Sequence, residues 1–67
     1  MAVARVTELI SSSKEGWEDA ARQALSRATK TLRGITGIEV IKQNAKVESG
    51  RIVEYRVHCR LTFVLEK

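Results

Sequence analysis

The sequence predicts an α+β fold, with one long helix laid across a three-stranded antiparallel sheet in the chain order β-α-β-β. Three observations carry this expectation. Apolar residues recur at helical spacing from Trp17 to Leu32. Strict two-residue alternation runs from Val53 to Leu65. Between these, Ser49-Gly50 divides a long extended segment as a tight hairpin turn would.

The first strand is expected from Ala2 to Ile10, where Val3, Val6, Thr7 and Ile10 favour extended structure. The run Ser11-Ser12-Ser13 should end it and supply a helix N-cap, because a serine hydroxyl can accept from a free amide of the first turn. The helix is expected from Lys14 to Arg33, a length of about 30 Å. Its apolar face holds Trp17, Ala20, Ala21, Ala24, Leu25, Ala28 and Leu32, and its outer face Glu15, Glu18, Arg22, Arg27, Lys30 and Arg33. Acids lead and bases follow, which suits the helix dipole, and Gly34 is placed as a C-cap.

Strand two is expected from Ile35 to Glu48 and strand three from Arg51 to Glu66. Alternation puts Val53, Tyr55, Val57, Cys59, Leu61, Phe63 and Leu65 on one face of strand three, and Ile52, Glu54, Arg56, His58, Arg60, Thr62 and Val64 on the other. The helix reverses the chain between strands one and two. An antiparallel sheet therefore requires strand three in the middle, in the order 1-3-2, with the helix over the Val53–Leu65 face.

Residues 1–67 make a single domain. A chain this short buries only about 60% of its unfolded surface and usually needs a staple. Cys59 is the only cysteine, so no internal disulfide exists. His58 is the only histidine, and adjacent strand residues point to opposite faces, so the two do not share a metal ion. Association of identical subunits is the remaining staple. A lone free thiol and the lack of a long apolar segment point to a cytoplasmic protein without a membrane span. The formal net charge of +4 permits an anionic partner. Nucleic acid is disfavoured because the aromatics, Trp17, Tyr55 and Phe63, mostly face the core and leave no stacking platform. No glycine-rich nucleotide loop and no nucleophile–base pair within one subunit is present, so the chain reads as a binding protein and not an enzyme.

The order of these features resembles the dodecins. The likeness rests on Val6 before the serine turn, Gly16-Trp17-Glu18-Asp19-Ala20-Ala21, Ala24-Leu25-Ser26-Arg27-Ala28, Thr31-Leu32-Arg33, Glu39-Val40, and Tyr55-Arg56-Val57 through Phe63-Val64-Leu65-Glu66. It implies a hollow shell of twelve copies that stores or sequesters flavin, riboflavin or FMN. In that family a Trp stands two residues before the Glu-Val of strand two, and a Gln follows the Tyr of strand three. The matching positions here are Gly37 and Arg56. Aromatic stacking contributes about 1–3 kcal/mol per ring, and glycine has no ring, so flavin is expected to bind weakly or in an altered pose. Arg56 offers a bidentate grip on phosphate or carboxylate, and His58 and Arg60 extend it as further anion contacts. The competing reading of this stripe is a set of inter-subunit ion pairs with Glu39, Glu48 or Glu54. The alternative function is a dodecin-like assembly without flavin, holding another anionic small molecule or a divalent cation such as calcium gathered by Glu8, Glu39 and Glu48.

Size-exclusion chromatography with light scattering should give one discrete mass that is a multiple of 7.5 kDa. A 7.5 kDa monomer at micromolar concentration would overturn the association argument.

Overall fold

In the computed structural model, which describes residues 3–65, the chain forms β1 (Ala4–Ser13), α1 (Trp17–Ala28), β2 (Ile35–Glu48) and β3 (Arg51–Val64). The sheet has the order β1-β3-β2, and both neighbours run antiparallel to β3. The expected strand ends at Ala2 and Glu66 lie outside the described residues.

Alternation in β3 creates the core. Val57, Cys59 and Leu61 are buried to within 1% of full occlusion, and Tyr55 and Phe63 continue the same face half-buried. Against them lies a helix face made of Ala20, Ala24 and Ala28, all buried. These small side chains let the helix backbone come close to the sheet. Leu9 and Trp17 close the margins of this cluster. Leu25 and Leu32, placed on the apolar helix face by their spacing, are only half-buried. Burial pushes the Cys59 thiol pKa up, which keeps it protonated and unreactive.

The hairpin turn falls at Ser49-Gly50, with Glu48 opposite Arg51. Both turn residues have positive φ, 52° and 74°, the signature of a type I′ turn whose twist matches the flanking strands. Gly34 also needs its freedom. Its φ is 75°, its carbonyl accepts from Val64 N–H at 2.9 Å, and a Cβ there would stand 2.8 Å from the Val64 carbonyl oxygen.

The helix differs from expectation at both ends. The serine run does not cap it; all three serines belong to β1. Ser13 is buried, its hydroxyl donating to Asp19 Oδ2 at 2.6 Å and accepting from the Glu15 amide at 2.9 Å. Residues 14–15 then form a bend, and Gly16, in extended backbone with no side-chain cap, precedes the first helical residue. The C-terminus is also earlier, at Ala28 and not Arg33. The Thr29 hydroxyl donates to the Ser26 carbonyl at 2.8 Å, and the Lys30 and Thr31 amides reach back only three residues, to Arg27 and Ala28. Hydroxyl residues that bond local carbonyls tighten a helix end and stop its propagation. Gly34 therefore serves the entry into β2 and not the helix cap.

A 12-residue helix is about 18 Å long, against about 46 Å for a 14-residue strand. The molecule measures 52 × 20 × 13 Å, and its hairpin projects past the helix with Val47, Ile52 and Val53 exposed. On β1, Val6 and Ile10 are exposed too, Ile10 by 74%.

Leu61→Ala should lower stability by about 3 kcal/mol, because a fully buried leucine is removed from a core with little freedom to collapse. Urea unfolding of the oligomer at fixed concentration measures it, and a change below about 1 kcal/mol would show that the β3 core is not limiting.

Candidate functional site

The face of the sheet turned away from α1 carries the stripe that alternation placed on β3. The register sets its neighbours: Glu8 and Glu39 lie opposite Arg60, Ile10 and Lys42 opposite His58, Ser12 and Asn44 opposite Arg56, and Val6 and Gly37 opposite Thr62. An irregularity between Val40 and Lys42 keeps Glu39, Lys42 and Asn44 in step with that stripe.

The three cations of the β3 stripe are partnered within the subunit. Arg60 spans the sheet, its Nη2 donating to Glu8 Oε2 at 3.2 Å and its Nη1 to Glu39 Oε1 at 3.3 Å. His58 Nε2 lies 2.8 Å from Glu8 Oε1. Arg56 uses Nε and Nη2, at 3.2 and 3.0 Å, on a single oxygen of Glu54, two residues earlier on its own strand. These pairs are exposed enough for water to screen them, so they order side chains more than they stabilise the fold. Glu39 and Glu54 are partners of these cations inside one subunit, where ion pairs between subunits were expected, and Glu8 joins them. Glu48 instead pairs with Lys46 at 3.5 Å. The role of Glu8 depends on the β1–β3 register, which alternation alone does not fix. Its spacing from Val6 and Ile10, two residues each way, is the signal that it shares their face.

The charges also move proton affinities. Hydrogen bonds from His58, then Arg60, hold the Glu8 carboxyl pKa below its ordinary 4.5. The Ser12 hydroxyl, then the Arg56 guanidinium, does the same for Glu54.

Arg56, His58 and Arg60 are thus brought together, but Gly37 is not brought to Arg56. Six residues of β3 separate Arg56 from Thr62, the partner of Gly37, a distance of about 20 Å along the strand. A small molecule on one subunit does not reach both. Gly37 leaves an open floor, with Thr62 Cβ 3.9 Å from where its own Cβ would be. The lone indole is elsewhere. Trp17 packs edge-on against Tyr55, ring centroids 4.9 Å apart, and its Nε1–H donates to the Asn44 carbonyl at 2.9 Å. Among the described residues no three His, Cys, Asp or Glu side chains cluster as a metal site, and no helix is long and apolar enough to cross a membrane.

The family model for dodecins matches residues 3–66. The chain belongs to the dodecin family. It is 37% identical over 65 residues to the dodecin of Thermus thermophilus, covering 97% of this chain and 94% of that one. It is 33% identical over 63 residues to the calcium dodecin of Mycobacterium tuberculosis, covering 94% and 89%. The structure of dodecin from Streptomyces coelicolor superposes with a TM-score of 0.93 at 35% identity, over 98% of this chain and 94% of that one. The β-α-β-β order, the 1-3-2 sheet and the single helix are therefore those of a dodecin.

Glu8 sets one arm of the acid stability. A carboxyl whose folded pKa is depressed adds stability above its unfolded value, near 4.5, and loses it as pH falls through the folded value. Glu8→Gln should therefore flatten the decline in melting temperature below pH 4.5. Identical acid limbs for the two proteins would refute this role.

Proposed function

We propose that the chain is a non-enzymatic, cytoplasmic binding protein that works as a homo-oligomeric dodecin shell of twelve copies, with the open sheet face as its ligand surface. Its ligand is a small molecule with an anionic group, FMN being the first candidate, held in a pose that does not depend on an indole. The observation that carries this reading is Arg56. Both of its bonds go to Glu54, and its Nη1 has no partner among the described residues, on an open face between Ser12 and Asn44. A guanidinium oriented by a carboxylate and still holding free N–H donors suits a phosphate oxygen. The separation of Gly37 from Arg56 adds that a ligand touching both positions lies between subunits. His58 and Arg60 stand beside Arg56 on that face as further contacts, once an anion competes with Glu8 and Glu39.

The second reading is calcium, supported by the name of the mycobacterial relative. Against it, Glu8 and Glu39 already engage Arg60 and His58, and Glu48 engages Lys46. A cation would have to displace these partners.

Fluorescence titration of the intact oligomer should show FMN quenched at micromolar protein and riboflavin bound at least tenfold more weakly. Arg56→Gln should erase that difference. If neither flavin is quenched, FMN is removed as the ligand. A melting temperature that then falls in EDTA and recovers with calcium would move the assignment to the cation.

A further inference from the structure

A groove lies on the other side of the sheet. Leu9 and Ser11 of β1 sit opposite Cys59 and Val57, the buried residues beneath the helix, so both face α1. Between this stretch of β1 and the C-terminal half of α1 with its following turn runs a groove of about 800 Å³. That is within the range of small-molecule sites. Leu9 and Leu32 give it apolar walls, and Ser11 and Ser26 add hydroxyls. Two cations, Arg27 and Lys30, line it, and no carboxylate among the described residues does.

The charged side chains that line this groove are all positive. On the open face Arg56 and Arg60 are each tied to glutamate, and on the helix Arg22 is tied to Glu18 at 2.6 Å. Neither Arg27 nor Lys30 has an ion-pair partner among the described residues. Glu8, the acid of β1, is placed on the far face by the strand register, where it meets His58 and Arg60, and Asp19 is held at the other end of the helix by Ser13 and Gln23. The simplest competing account is that the two cations answer the negative end of the helix dipole. That dipole end carries about half an elementary charge, against two full positive charges, so the groove keeps a positive excess. The turn's own carbonyls are also partly occupied, since Arg27 and Ala28 accept from the Lys30, Thr31 and Leu32 amides.

We propose that this groove is a second ligand site, separate from the open face, which takes a small organic anion whose charged group meets Arg27 and Lys30 and whose short apolar portion lies between Leu9 and Leu32. The recognition is a monoanionic or dianionic head joined to a few methylene groups. Phosphate and carboxylate heads both supply it.

The test uses the intact oligomer and three probes of equal chain length: hexyl phosphate, hexanoate and hexanol. Calorimetry and methyl shifts of Leu9 and Leu32 should show one or both anions binding at least tenfold more tightly than hexanol. Arg27→Gln combined with Lys30→Gln should weaken the anion at least tenfold, with the oligomer's mass and its flavin titration unchanged. The anion that binds more tightly identifies the head group. The proposal is overturned if neither anion binds at millimolar concentration, if hexanol binds as well as the anions, or if the double substitution leaves their affinity unchanged.

Discussion

The fit of Ala20 and Ala24 onto Val57 and Cys59, with Ala28 and Leu61 also buried, decides the rest of the architecture. Alanine has no side chain beyond Cβ, so the helix can lie close on the sheet and seal a core built from three β3 residues. That closeness has a limit in length. Three alanines at four-residue spacing cover about two and a half turns, while β2 and β3 each run for 14 residues. The hairpin therefore extends beyond the helix that covers it, and Val47, Ile52 and Val53 are exposed. A domain with so small a core has little stability to spare, and burial of this overhang against identical subunits is the physical need that a dodecin shell meets.

Much of the fold was legible because its main signal is a period. Alternation along β3 separated Val57, Cys59 and Leu61 from Arg56, His58 and Arg60, and glycine at position 50 marked the turn. The helix was overextended because the same apolar spacing continues through Leu32, while what stops the helix is a set of local hydrogen bonds. Thr29 takes the Ser26 carbonyl at one end, and Ser13 holds Asp19 and the Glu15 amide at the other. Spacing does not reveal which hydroxyl will find which carbonyl.

The candidate site was legible in part for a related reason. A stripe on one strand can be read from that strand alone, but its partners depend on the register of the neighbours. Glu8 and Arg60 are 52 residues apart and meet only because β1 pairs with β3 in one particular alignment. The distance between Gly37 and Arg56 likewise comes from the pairing of β2 with β3. The family resemblance named both positions as parts of one site, and the register shows that within one chain they are distant ends of one face.

Trp17 has a further consequence. It is the only indole in the chain, and it is fixed twice, edge-on against the only tyrosine and through Nε1–H to the Asn44 carbonyl of β2. It sits where the start of the helix meets the middle of the hairpin, on the side of the sheet that the charged stripe does not occupy. The wavelength of its emission follows the hydration of this junction. The protein thus carries an intrinsic optical gauge of helix docking, and a red shift reports that the helix has lifted from the hairpin whatever the open face holds.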